Sequence, residues 1–128
     1  MKPHVTHESD CPEKALPGRH MRWLANAESL DPKYLSVCVI RVQPGEKVRP
    51  AHSHPNGEEL IYIIKGTGRV LVGDAVDPVR EGTTVLFPQD TPHMLQNTGQ
   101  EEMKVICCFA PATNLENYKF FDDIDFPE

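Results

Sequence analysis

"HSHPNGEELIYIIKG", residues 52–66, places two histidines one residue apart, then a short polar loop, then paired glutamates running into an apolar segment. On an extended chain, side chains at i and i+2 point to the same face, so His52 and His54 look the same way. Asn56-Gly57 tolerates the positive φ of a tight turn. Glu59 then returns on an antiparallel partner, within reach of both histidines across the pair. What the three face is a packed core, bulk water or a metal ion. Beyond the turn, Glu59, Ile61 and Ile63 share one face, and Leu60, Tyr62 and Ile64 share the other. Both faces are apolar, so this strand is expected to be covered on both sides, by a second sheet or by a dimer partner.

The flanking segments repeat the pattern of short strands and frequent turns. Residues 19–25 (RHMRWLA) and 35–42 (LSVCVIRV) read as extended, the latter β-branched and too short for a typical helix. Residues 43–46 (QPGE) turn, and 48–54 are extended with an irregular or edge position at Pro50. Strands are expected at 59–65, 69–73, 83–88, 93–97 and 103–110, with a turn at 73–77. In the last strand, Met103, Val105, Cys107 and Phe109 form a core face. Twelve prolines suit many short elements, and no repeat of solenoid length is present. The fold class is all-β, an antiparallel sandwich or barrel.

The 128 residues fit one domain, large enough to need no disulfide or structural metal merely to fold. A net charge of −6 argues against a nucleic-acid surface. Neither a basic amphipathic segment nor a membrane-length apolar run is present, so no membrane partner is expected. The start, MKPHVTHESDCPEKALPGRH, has no signal-peptide core. Cys11, Cys38, Cys107 and Cys108 form no CxxC, and neighbours 107 and 108 point to opposite faces of a strand. Reduced thiols and a cytoplasmic location follow. Residues 1–18 read as a flexible N-terminal arm, 19–112 as the barrel domain, and 113–128 as an acidic, aromatic tail packing on the barrel or on a partner through Tyr118, Phe120, Phe121 and Phe126.

His93 is the fourth candidate for the cluster, on a strand face shared with Leu95 and Asn97. Three imidazoles and a carboxylate suit a divalent first-row metal. The spacing resembles the cupin superfamily, in its small single-domain form. Its first motif corresponds to Gly45, His52, His54, Glu59 and Gly66, and its second to Gly82, Pro88, His93 and Asn97. Six residues separate Gly45 from His52, one more than the commonest form. Asp90 replaces the glycine of the second motif, and aspartate tolerates a left-handed turn better than most residues. Glu59 rather than Glu58 keeps the six-residue gap to Gly66. The resemblance spans residues 35–110.

The resemblance implies a double-stranded β-helix, a jelly-roll-like barrel of two antiparallel sheets. One divalent metal (Mn, Fe, Ni, Co, Cu or Zn) would be held inside by His52, His54, Glu59 and His93. The competing reading is a polar cluster without an ion, which is costly to bury unless fully hydrogen-bonded. Asn97, Gly45, Gly66 and Gly82 read as turn or strand-end residues. His4, His7, Cys11 and His20 read as surface groups, and Trp23 as packing. Tyr62, Lys47 and Arg49 are of types that could bind or protonate a substrate; parity turns Tyr62 away from the cluster, and the irregularity at Pro50 leaves the direction of Arg49 open. Phe87, Leu95, Met103, Val105 and Phe109 are candidate pocket walls.

Small cupins serve several chemistries, so the expected function is a metal-dependent enzyme of Lewis-acid type on a small sugar or organic acid: isomerase, epimerase, ring-opening or decarboxylase. The alternatives are a non-catalytic metal- or ligand-binding cupin and an iron-dependent dioxygenase. No catalytic acid or base is assigned. A homodimer is expected, because the Leu60, Tyr62 and Ile64 face is more apolar than a monomer usually exposes.

Overall fold

Burial alternates along Glu58–Lys65 as the period of two requires: Glu59, Ile61 and Ile63 are buried, while Leu60 and Tyr62 are exposed. This strand is the centre from which the rest of the barrel is laid out. The computed structural model describes residues 4–127. Its strands are β1 (Glu13–Leu16), β2 (Arg19–Ala25), β3 (Ser36–Val42), β4 (Ala51–Ser53), β5 (Glu58–Lys65) and β6 (Gly68–Val72). They continue as β7 (Ala75–Val79), β8 (Thr84–Phe87), β9 (His93–Asn97), β10 (Met103–Ala110) and β11 (Lys119–Phe121). Two short 3₁₀ turns, Glu8–Asp10 and Leu115–Asn117, complete the elements.

Two antiparallel sheets face each other in a jelly-roll barrel. One has the order β1-β2-β3-β10-β5-β8, the other β11-β4-β9-β6-β7. Their inner faces supply the core. Ile61, Ile63, Val42, Met103 and Val105 are at most 1% exposed, each contributing about 1.5–3 kcal/mol by burial. Gly66 ends β5 at φ +101°, and a Cβ there would lie 2.9 Å from the Met103 backbone. Both the turn and the close approach of β10 therefore need glycine.

Three strands lie where the sequence suggests none. β7 occupies much of the expected 73–77 turn, which narrows to Gly73-Asp74 between the paired Val72 and Ala75. Its Ala-Val-Asp-Pro-Val sequence reads poorly as a strand, yet it lies at a sheet edge, where a proline without an N–H is tolerated. β1 pairs with β2 from Glu13↔Arg22 to Leu16↔Arg19, so sheet pairing extends into the segment read as an arm. Arg22 Nη1 donates to the Glu8 and Cys11 carbonyls at 3.0 and 2.7 Å, and Cys11 is buried. Residues 1–3 of that arm and residue 128 of the tail lie outside the described residues.

β11 pairs with β4 through Lys119↔Ser53, Phe120↔His52 and Phe121↔Ala51. Beyond it, Phe126 packs with Ala51, Leu71 and Met94, with Phe121 and Ile124 alongside. Arg69 lies over the Phe126 ring at 4.2 Å, and Lys47 Nζ reaches Asp125 at 2.5 Å. The tail thus covers the outer face of the smaller sheet. On the outer face of the larger sheet, at β5 and β8, Leu60, Tyr62 and Leu86 are 42%, 45% and 48% exposed. No helix among the described residues is long and apolar enough to cross a membrane.

Candidate metal centre

Three strands deliver the four candidate ligands. β4 carries His52 and projects His54 just past its end, β5 carries Glu59, and β9 carries His93 directly opposite His52. All four are buried, and one ligand atom from each lies within 4.8 Å of the others. Among the described residues this is the one such group. Glu58, the competing acid, is exposed, as strand parity requires once Glu59 faces inward.

His54 Nε2 lies 2.8 Å from Glu59 Oε1, and His93 Nε2 lies 3.2 Å from the same oxygen. Outside the cluster, His93 Nδ1 donates to the Thr91 carbonyl at 3.0 Å and His52 Nδ1 to the Pro50 carbonyl at 3.3 Å. A carbonyl only accepts, so both Nδ1 atoms carry protons, and Nε2 is the nitrogen each ring has left to offer an ion. His93 meets the Glu59 carboxylate through that atom. One carboxylate oxygen thus sits between the His54 and His93 Nε2 atoms, where a shared proton or a metal ion can join them. The carbonyl partners are those that orient metal-ligating imidazoles.

Burial drives the His52 pKa down to about 3, with the neighbouring His93 adding to the effect, so this ring is neutral. Burial also opposes ionisation of Glu59, but hydrogen bonds from His54 and His93 outweigh it and hold the carboxyl well below its usual range. The donor set, three imidazoles and one carboxylate, is one that suits a first-row divalent ion.

Aromatic rings brace the histidines. Phe87 stacks on His93 with centroids 3.9 Å apart and planes 6° from parallel, and Phe109 meets His54 edge-on at 5.1 Å. Tyr118, from the tail, stacks on His52 at 4.8 Å and meets His54 edge-on at 4.4 Å. Phe87 and Phe109 were candidate walls from sequence. The position of Tyr118 was not foreseen; its only sequence signal was the aromatic content of the tail. Two small cavities adjoin the cluster. One, about 30 Å³, lies against His52, Glu59 and His93 with Ile61, Phe87 and Cys107. The other, about 20 Å³, borders His54. His54 Nδ1 is buried with no hydrogen-bond partner among the described residues.

The remaining sequence candidates lie elsewhere. Asn97 donates to the Val42 and Glu101 carbonyls and accepts from the Gly99 N–H, a strand-end role. Lys47 pairs with Asp125 and Arg49 with Glu46, both near the surface. Trp23 packs on Phe109 at 5.7 Å, and His7 caps the first 3₁₀ turn. Asp90 adopts φ +57°, the left-handed conformation expected where the motif has glycine.

Residues 38–109 match the family model described as the cupin domain. SchB of Streptomyces halstedii is 35% identical over 78 residues, 61% of this chain and 54% of SchB. The polyketide synthase CurC of Streptomyces cyaneus is 25% identical over 87% of this chain and 71% of its own. Among solved structures, oxalate decarboxylase of Bacillus subtilis superposes with a TM-score of 0.79 at 25% identity. The match covers 89% of this chain but 31% of that one. The chain thus spans little more than half of SchB and under a third of the decarboxylase.

Proposed function

The chain belongs to the cupin domain family, and from that premise we propose that it binds one divalent transition metal through His52, His54, Glu59 and His93 and is a metal-dependent enzyme on a small organic acid or sugar. The observation that carries the reading is the buried cluster itself: one ligand atom from each of the four side chains lies within 4.8 Å of the others, with the His54 and His93 Nε2 atoms both on Glu59 Oε1. A buried carboxylate and three buried imidazoles are costly to keep together unless hydrogen bonds or a bound cation compensate. Mn, Fe, Ni, Co, Cu or Zn held there would supply Lewis-acid chemistry, polarising a carbonyl or carboxylate oxygen. The protein's own part is to fix the ring tautomers through Pro50 and Thr91 and to exclude bulk water with Phe87, Phe109 and Tyr118. The likeness to oxalate decarboxylase supports an organic acid as substrate class. Decarboxylation, isomerisation, epimerisation and ring-opening all remain within this reading.

A second reading, an iron-dependent dioxygenase, is favoured by one observation. The inner cavity is walled chiefly by Ile40, Ile61, Phe87 and Leu95, an apolar lining suited to dioxygen. Elemental analysis of protein purified without chelators, with oxygen uptake and mass spectrometry of co-purified small molecules, separates the two. A redox-inactive metal with a polar small molecule supports the first reading, and iron with oxygen uptake supports the second. Protein without metal overturns both.

We also place the protein in the cytoplasm, where its four free thiols stay reduced, and assign it a homodimer. The larger sheet's outer face is the contact surface, where exposed Leu60 and Leu86 sit side by side on β5 and β8. Sedimentation showing only monomer at micromolar concentration would overturn the dimer.

A further inference from the structure

We propose that Tyr118 determines ligand size at the metal site, roofing the cluster so that only a ligand of a few heavy atoms fits beside it. This rests on the metal-binding reading above.

The C-terminal segment leaves the barrel after β10 and crosses back over the mouth. Ser36 pins its start, accepting from the Thr113 N–H at 3.0 Å and donating to the Thr113 carbonyl. The Leu115–Asn117 turn follows, and β11 then locks onto β4 with Phe120 opposite His52. Between these two anchors the chain drives one side chain inward. Tyr118 is 9% exposed in a segment whose neighbours Lys119 and Phe120 are exposed. It joins the main barrel core with Trp23, Phe87 and Phe109.

Its ring lies against two of the three imidazoles. Phe87 covers the third, His93. What remains open beside the cluster is the cavity of about 30 Å³ inside and that of about 20 Å³ at His54. Each holds only one or two water-sized groups, since a single water needs roughly 10–15 Å³ on this measure. The outer cavity, at His54, is bordered by Asn56, Gly57, Thr113 and Asn117. A ligand with a ring or a long chain has no comparable space while Tyr118 stands. Removing the phenol side chain enlarges the space beside His52 and His54 without touching a candidate ligand.

The test uses the full chain loaded with Co(II), whose visible absorption reports changes around the ion, titrated with acetate and with benzoate. Native protein and Tyr118→Phe respond to acetate and hardly to benzoate. Tyr118→Ala responds to both and binds benzoate at least about tenfold more tightly than native protein, the scale on which pocket size discriminates. Equal benzoate affinity in native protein and Tyr118→Ala overturns the proposal while leaving the metal site standing. Native protein that gives no Co(II) spectrum overturns the metal reading itself, and this proposal with it. Should Tyr118→Ala fail to fold by circular dichroism, Tyr118→Leu keeps apolar volume in the core and is read by the same criterion.

Discussion

Strand β5 runs eight residues between β10 and β8, in near-continuous register with β10 and paired with β8 over Glu59–Tyr62. Strand β4 runs three residues and meets β9 at the single pair His52↔His93. Both supply the candidate metal centre. Glu59 is placed by a sheet that would hold any side chain at that position. His52 and His54 are placed by local devices: the Pro50 carbonyl on His52, the Asp90 N–H donating to the His54 carbonyl at 3.1 Å, and β11 paired along the free side of β4. Fold stability is thus concentrated around β5, and site geometry depends on supports around β4.

Paired substitutions test that division most severely. His54→Ala on the β4 side removes one of four donors, and elemental analysis is expected to find stoichiometric metal lost. Ile63→Ala on β5 empties a fully buried position. Urea denaturation is expected to show a loss of about 2–5 kcal/mol, while the folded protein keeps its full metal content. Metal retained in His54→Ala would refute the assigned centre. Metal lost from folded Ile63→Ala would show that β5 shapes the site as much as β4 does.

The same contrast governs what could be read from sequence. β5 is legible because burial imposes a period of two over eight residues, and Asn56-Gly57 marks the hairpin before it. His52 and His54 follow from parity, and Glu59 from the turn; His93, 39 positions beyond His54, was a candidate by residue type, and the motif resemblance tied it to the cluster. β1, β7 and β11 were not legible. They are edge strands whose pairing depends on a neighbour rather than on their own pattern, and β7 carries Pro78. Tyr118 was visible only as one aromatic among several in an acidic tail, since no periodicity reports that a single side chain turns inward between two anchors. Ser53 is a further case. Parity turns it away from the cluster, yet it is fully buried beneath the tail's side of β4.

Ser53 supplies the mildest and most specific probe of how β4 is held. Its hydroxyl donates to Asp90 Oδ1 at 3.2 Å, tying the end of β4 to the turn before β9. Asp90 in turn donates its N–H to the His54 carbonyl, so one residue braces both Ser53 and His54. Ser53→Ala removes the hydroxyl bond and leaves the carboxylate, in an already left-handed residue, to find another partner. The loss of one intramolecular hydrogen bond places the stability cost at about 0.5–1.5 kcal/mol. If β4 is positioned by such supports, metal affinity should also fall, by about tenfold, the lower end for loss of an outer-sphere partner. Asp90→Gly separates the two contributions. Glycine adopts the φ of +57° without strain, keeps the N–H to His54, and loses only the carboxylate. It should therefore reproduce the affinity loss of Ser53→Ala, and the double variant should lose little more than either single one. An affinity unchanged in Ser53→Ala, beside a stability loss of the expected size, would show that His52 and His54 are held by the backbone alone. The two strands would then differ in length but not in how they hold their ligands.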